Sequence, residues 1–348
     1  MYTLRDVARL ADVSIATASA VVNNKGKVSE KLRQRVLRAM EGLDYHPDQV
    51  ARSLKVRRTH TLGMVIPDVT NPFFTDVMQG VEDEARRSGY SVIFCNANED
   101  RELERNHLGT LFSRRVDGVL IAPTEPEAAQ DRLTRRRFPM VFFDRIPHGY
   151  SGPAVVTDNI GASREAGRHL IKLGHERIAI IAGRLDLSNA LDRLEGFRQA
   201  LQESHLPLPG MYLQSGDFRL HSGYQCGMHL MQLPNPPTAI FCCNNKMTLG
   251  LMRALGELRI PCPEQVSVLG FDDFDWAANF SPRLTSVAQP TYEMGRRATE
   301  LLVQTLQLGK AEAGPGASQV VVLQNELRIR DSTAPPCQAS SRLLPKIA

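Results

Sequence analysis

From Thr61 to Ala288 the sequence alternates ten short apolar runs with longer stretches of helical periodicity, and that alternation leaves few folds open. The runs are residues 62–66, 91–96, 118–122, 140–143 and 154–157, then 178–182, 211–214, 239–242, 267–271 and 285–288. Such continuously apolar runs, separated by helical stretches, fit strands covered by helices on both faces, the setting of parallel sheets. Intervening stretches such as 73–88 and 159–173 close at Gly89 and Gly174, where glycine accepts the left-handed turn that stops a helix. Ten strands exceed one ordinary sheet. The reading is therefore an α/β core of two doubly wound parallel-sheet subdomains.

The first 45 residues follow another pattern. They read as three short helices opened by Thr3, Ser14 and Ser29, residues whose side chains accept from the unpaired N–H groups of a first turn. Thr3 with Asp6 three positions on has the form of a capping box. Leu4, Val7, Ala8 and Ala11 recur at helical spacing, as do Ala18, Val21 and Val22, then Leu32, Val36, Leu37 and Met40. Only Asp12-Val13-Ser14 joins the first two helices, the length of a helix-turn-helix connection. Charge is unevenly divided. Residues 1–58 hold twelve Lys+Arg against six Asp+Glu, a surplus of +6, so a chain of net charge +4 carries −2 over the remainder. A basic module attached to a slightly acidic body suits a polyanion as the module's partner.

Residues 48–56 have helical character but fall short of the ~12–15 residues that an isolated helix needs in water. They are expected to fold only when something packs against them. Beyond Asp331 the polar, proline-containing sequence reads as a flexible tail. The expected division is a helix-turn-helix domain over 1–46, a hinge helix and linker over 47–59, a core over 60–330, and a tail over 331–348. Within the core one subdomain takes about 60–160 and 290–320, the other 161–289 and 321–330.

Several ordered motifs together resemble the lac repressor/galactose repressor family of bacterial transcription factors. They include Thr3-Leu4-Arg5-Asp6-Val7-Ala8, Ala11-Asp12-Val13-Ser14, Val28-Ser29, Tyr45-His46-Pro47 and Ala51-Arg52-Ser53-Leu54-Lys55-Val56, the last similar to the purine repressors of that family. The likeness continues through Pro67-Asp68-Val69-Thr70-Asn71-Pro72-Phe73-Phe74, Val116-Asp117-Gly118, Gly174-His175, Gly270-Phe271-Asp272 and residues 282–290, covering roughly 2–330. The resemblance implies a homodimeric repressor, dimeric or higher. It would bind a near-palindromic operator in double-stranded DNA, with a periplasmic-binding-protein-like core for a small effector, most often a sugar.

A helix-turn-helix places its second helix, here residues 15–23, in the major groove. With Ala18, Val21 and Val22 inward, the reading face carries Ile15, Ala16, Ser19, Ala20 and Asn23. This departs from the family, where the positions of Ile15 and Ala16 are commonly polar and that of Ala20 is often arginine. Ile15 and Ala16 donate no hydrogen bond and can only pack against a thymine methyl, so specificity is expected to lean on methyl contacts, Asn23 and DNA shape. Asp12, where the family usually has glycine, tolerates a left-handed turn better than most residues. Thr3, Ser14, Thr17, Ser29, Arg33 and Lys55 are the phosphate-contact candidates, with Arg52 beside them on the hinge. The family resemblance assigns Leu54 to minor-groove insertion, where an apolar wedge unstacks a base step and bends the duplex.

Effector contacts are expected at strand ends, where open α/β sheets bind ligands. The resemblance assigns Phe73, Phe74 and Phe218 to rings around the effector, and Asp272 to accepting its hydrogen bonds. Arg193 matches an arginine that grips sugar hydroxyls, Asn244 a polar ligand contact, and Asn189 a side chain that both donates and accepts. Asn245 departs from the aspartate frequent at its position. Leu187 replaces the effector-binding arginine of purine repressors, which argues against a purine.

Other classes find little support. At 42% hydrophobic and 23% charged residues the chain is neither disordered nor fibrous. No apolar run approaches the ~18 residues that cross a bilayer, and the charged opening residues lack a secretory h-region. The six cysteines show no Cys-x-x-Cys spacing, and His169 and His175 read as helix-end and turn residues rather than ligands. Phosphate-loop, dinucleotide-binding, nucleophile-elbow and zinc-protease motifs are missing from the sequence. A cytoplasmic, non-enzymatic regulator without cofactor or metal is therefore expected. A periplasmic-type solute-binding protein is the alternative, though it would need an export signal in place of the basic segment.

Overall fold

The computed structural model describes residues 2–23, 28–45, 58–125, 138–312 and 319–337. They fall into two units, Met1–Thr59 and His60–Ala348.

The first unit is built from α1 (Leu4–Leu10), α2 (Ile15–Val22) and α3 (Glu30–Gly42). The Asp6 carboxylate accepts from both the backbone N–H and the hydroxyl of Thr3 at 2.9 and 2.7 Å, and Ser14 caps α2 by accepting from the Thr17 N–H. Ser29 precedes α3 without a side-chain cap. Val7, Ala8, Ala11, Ala18, Val21, Val36 and Ala39 form the core. Leu37 is not part of it: 44% exposed, it lies on the outer side of α3, where helical spacing alone had placed it inward. Asp12 takes φ 49°, the left-handed turn the sequence called for. Arg35 from α3 clamps that turn, donating to the Asp12 carbonyl and carboxylate at 2.8 and 2.9 Å. Residues 46–57, which include most of the expected 47–59 hinge with Arg52, Leu54 and Lys55, lie outside the described residues.

The second unit holds two six-stranded sheets. Taking β1 (Thr61–Ile66), β2 (Ser91–Asn96), β3 (Gly118–Ile121), β4 (Met140–Phe143), β5 (Ala154–Thr157) and β11 (Val320–Leu323), the first sheet runs β11-β5-β4-β3-β1-β2, all parallel. The second uses β6 (Ile178–Ala182), β7 (Leu213–Ser215), β8 (Ala239–Cys242), β9 (Ser267–Phe271), β10 (Thr285–Ala288) and β12 (Glu326–Arg328) in the order β12-β10-β9-β8-β6-β7. Only β12 is antiparallel. In each sheet the order reverses beside the first strand in sequence, β1 or β6, which creates a crevice at the carboxyl ends.

Helix α4 (Pro72–Arg87) packs on α10 (Thr291–Glu312) beside the first sheet, and α5 (Arg101–Ser113) contacts β1 and β2. Helices α6 (Asn159–Lys172) and α7 (Ser188–Glu203) pair on the second sheet, as do α8 (Leu220–Met231) and α9 (Asn245–Glu257). A Cβ at Gly80 of α4 would run into the Tyr292 carbonyl of α10, and one at Gly295 into the Val77 carbonyl. The two backbones touch, so nothing flexible can give way. Gly80→Ala is expected to lower stability by about 3 kcal/mol, seen as a reduced urea midpoint at unchanged slope. An unaltered midpoint would mean that the helices can separate freely.

Three sequence expectations are corrected. Met211 lies in a 3-10 turn, Gly210–Tyr212, and the strand begins at Leu213, so the 211–214 run was placed too early. Residues 321–323 belong to the first sheet, because β11 pairs with β5 and the chain crosses to the second lobe only before Glu326. The segment 331–337 is packed rather than a loose tail. Ser332 is fully buried, its hydroxyl accepting from Thr285 N–H and donating to the Val268 carbonyl, and the Ala334 carbonyl receives bonds from Ser267 and Ala334's own N–H reaches the Ser267 hydroxyl. A polar sequence reads as solvated, but here hydrogen bonds satisfy it inside the fold.

Candidate functional site

The chain crosses between the lobes after β5, after β10 and after β11. The crossovers are tied together: the Thr157 hydroxyl donates to Gln289 Oε1 at 2.7 Å, and Asn325 Nδ2 donates to the Asp158 carbonyl at 3.1 Å. Where the carboxyl ends of the two sheets face each other lies a narrow cleft, partly open to solvent. Phe73, Phe74, Asn189, Arg193, Phe218, Asn244 and Asp272, the seven residues picked from the sequence, all line it.

The second lobe supplies the central cation. Arg193 on α7 is 2% exposed. Its Nε donates to Asn159 Oδ1 at 2.8 Å, one terminal nitrogen donates to the Cys243 carbonyl at 2.7 Å, and the guanidinium lies 3.7 Å from the centre of the Phe271 ring. Asp272 follows β9 with φ 70° and accepts from Gln289 Nε2 at 2.5 Å. Asp144 occupies the equivalent place after β4 in the first lobe, with φ 61°, and accepts from Asn189 Nδ2 at 3.2 Å. Phe218, at φ 66°, is a third lining residue held in the left-handed region, where non-glycine residues are uncommon.

Burial raises the pKa of Asp144 and Asp272 from the ordinary aspartate value, opposed at Asp144 by the charges of Arg145 and Arg193 and at Asp272 by that of Arg193. Each carboxylate is thus costly to ionise and demands donors. Asn189 Oδ1 is buried without a hydrogen-bond partner among the described residues, an acceptor that a ligand hydroxyl would satisfy. Phe73 and Phe74 stand edge to face, 4.9 Å between ring centres, and give the first lobe its apolar wall. Asn244 lines the cleft, but its amide is engaged already: Oδ1 caps α9 by accepting from Met247 N–H, and Nδ2 donates to the Phe218 carbonyl.

The sequence reading missed Asn71, Asp144, Arg145, Glu99 and Gln289. Asp144-Arg145 and Gln289 follow predicted strands directly, so the strand-end rule that found Asp272 reaches them too. Arg145, 3% exposed, forms a two-pronged pair with Glu99 at 2.8 and 3.1 Å and sits 5.4 Å from the Phe218 ring. The rim of the cleft is laced between the lobes. Lys246 donates to Asp68 and Thr70 at 2.7 and 2.8 Å, Asn245 to Asn71 at 2.8 Å, and Arg219 to the Asn98 carbonyl at 3.0 Å.

In the first unit, Ser14, Ile15 and Ala16 are exposed at the start of α2, while Thr17, Ser19, Ala20 and Asn23 are half-buried. Ile15 is 50% exposed, so the small module does not absorb it. Asn23 Nδ2 folds back onto the Ser19 carbonyl at 2.7 Å, and the Ser14 and Thr17 hydroxyls share a 2.8 Å hydrogen bond. Thr3 and Ser29 are exposed and Arg33 is half-buried. Among the described residues no group of three or more His, Cys, Asp or Glu is placed to hold a metal, and no helix is long and apolar enough to cross a membrane.

Residues 3–48 match the family model of bacterial regulatory proteins, lacI family, and residues 168–333 that of a periplasmic binding protein-like domain. The ribose operon repressor of Escherichia coli (strain K12) is 36% identical over 308 residues, 88% of this chain and 93% of that protein. The HTH-type transcriptional repressor PurR of Histophilus somni (strain 129Pt) is 35% identical over 335 residues, 95% of this chain and 99% of that one. Among solved structures, the lac repressor dimer bound to operator and the anti-inducer ONPF superposes with a TM-score of 0.85 at 28% identity, covering 96% of this chain and 99% of that one. A LacI family transcriptional regulator from Enterococcus faecium with bound ribose gives 0.69 at 32% identity, over 79% of this chain and 99% of the other.

Proposed function

The chain belongs to the lacI family of bacterial regulatory proteins, and from that premise we propose that it is a homodimeric repressor of a near-palindromic operator, controlled by ribose or a closely similar pentose. The observation that carries the sugar reading is the cleft. It joins an apolar aromatic wall to two buried carboxylates, an arginine and amides, the combination suited to the faces and hydroxyls of a sugar. Asp144, Asp272 and Asn189 Oδ1 accept from hydroxyls, Arg193 donates to them, and Phe73, Phe74 and Phe218 cover the ring. Both the ribose repressor relative and the ribose-bound neighbour support a pentose, and Leu187 in place of an arginine speaks against a purine.

On the DNA side, Ile15 and Ala16 meet thymine methyls, with Ser19, Ala20 and Asn23 along the same helix face. Thr3, Ser14, Thr17, Ser29 and Arg33 hold phosphates. The segment carrying Arg52, Leu54 and Lys55 folds on the operator, and Leu54 enters the minor groove. Effector binding between the lobes shifts the geometry of this segment through the crossovers, with coupling of about 1–3 kcal/mol. The relatives are transcriptional repressors, and we read this chain as a cytoplasmic regulator rather than an enzyme.

Calorimetric titration with ribose tests the reading, and its pH dependence has a definite sign. Ionised carboxylates accept more strongly from ligand hydroxyls than protonated ones, so affinity is expected to fall as pH is lowered through the raised pKa values of Asp144 and Asp272. For the empty core the sign reverses. These two carboxyls contribute most to folding below the ordinary aspartate range near 4, and that contribution is lost as pH rises through their raised values. Affinity that strengthened on acidification would remove both carboxylates from the contact set.

A further inference from the structure

We infer that the cleft admits only the free, uncharged sugar and rejects its phosphate ester and its carboxylate, an inference that rests on the sugar reading above. The lining holds five carboxylates, Asp68, Glu99, Asp144, Asp217 and Asp272, against three guanidinium groups, Arg145, Arg193 and Arg219. Most donors of these cations are already engaged, and Arg145 Nε, without a hydrogen-bond partner among the described residues, lies 3.4 Å from the Asp144 carboxylate. Arg145 faces the Glu99 carboxylate with both terminal nitrogens, one of which also reaches the Pro123 carbonyl at 3.1 Å. Arg193 is tied to Asn159 and the Cys243 carbonyl and shares its charge with Asp144 and Asp272. Arg219 donates to the Asn98 carbonyl.

At the rim Lys246 is paired with Asp68, and Arg184 with Asp186. A phosphoryl group brings roughly −1.5 to −2 charges and three acceptor oxygens. Here it would meet acceptors, and Arg145 in turning to it would leave the buried Glu99 carboxylate without its partner, a strongly unfavourable change. Bonds between the lobes also narrow the way out for such a group. The Lys246–Asp68, Asn245–Asn71 and Arg219–Asn98 bonds span the two lobes, as does Arg184 donating to the Thr124 carbonyl at 3.0 Å. A ligand with an anionic tail breaks this lacing or buries its charge among carboxylates. The protein therefore senses the sugar upstream of the phosphoryl transfer that consumes it.

The test is calorimetric titration of the full-length protein with ribose, ribose 5-phosphate and ribonate at neutral pH and low salt. The phosphate and the carboxylate are expected to bind about 100-fold more weakly than ribose, or not measurably, as like-charge contact in a carboxylate-rich cleft requires. Ribose 5-phosphate or ribonate binding as tightly as ribose, or binding alone, overturns the inference while leaving a sugar-derived effector in place. If none of the three binds, the pentose reading itself falls and takes the inference with it. Glu99→Gln, checked for folding by its thermal transition, releases Arg145. It is expected to narrow the gap about tenfold through a gain for ribose 5-phosphate, and an unchanged ratio would remove Glu99 from the discrimination.

Discussion

Arg193→Met is expected to destabilise the core by about 3–5 kcal/mol and to make ribose binding undetectable in a calorimetric titration. The first effect follows from burial. The guanidinium is 2% exposed, bonded to Asn159 and the Cys243 carbonyl and stacked on Phe271. Methionine fills much of the volume but leaves Asn159 Oδ1 and the Cys243 carbonyl without that donor, and Asp144 and Asp272 without their shared counter-charge. Removing one partner from a buried charged group costs that much. The second effect follows because the lost donor lies among the acceptors proposed to receive the sugar. Arg193→Lys is expected to fail as well, since an ammonium cannot reproduce a planar fork that bonds two partners while lying on a ring. Urea unfolding and ribose titration of the two variants measure both effects. An Arg193→Met protein that melts like the parent and still binds ribose would show that the cleft is organised around other groups.

Deleting residues 1–58 is expected to abolish operator binding, a loss of at least about 1000-fold, and to leave ribose affinity within a factor of about two. The first unit carries the +6 surplus and its own core of Val7, Ala8, Ala18, Val21 and Val36, while the cleft is lined wholly by residues of the second. Phosphate neutralisation dominates affinity for DNA, so a body of net charge −2 retains little of it. Anisotropy of labelled operator DNA beside ribose calorimetry reads both quantities. Residual binding by the truncated protein would place part of the DNA surface on the core.

Much of the fold is legible in the residues because the strands are apolar on both faces. Seven of the ten runs coincide with strands at both ends, since burial such as that of Ile178–Ala182 admits no polar residue to blur the boundary. β11 and β12 escaped notice for the opposite reason. They are edge strands with alternating exposure, and their positions depend on pairing with β5 and β10, which local sequence does not encode. The packed segment around Ser332 was hidden in the same way, because its burial depends on partners some 50 to 70 positions away. At the cleft, Asp272 is legible from its strand end together with the family resemblance, and Arg193 from the resemblance alone. Glu99 is not, because its role is to hold Arg145, a pairing that only the folded crevice creates. Ile15 and Ala16 were legible as departures, and their exposure at the start of α2 keeps them available to a groove.

The most direct measurement is the affinity of the full-length protein for its near-palindromic operator, titrated with and without saturating ribose at several salt concentrations. The expected result is saturable binding that weakens steeply as salt rises and changes by about 5–150-fold when ribose is added. Binding that ignores ribose, or a protein that binds no duplex at any salt concentration, would contradict a DNA-reading head governed by a sugar between two lobes.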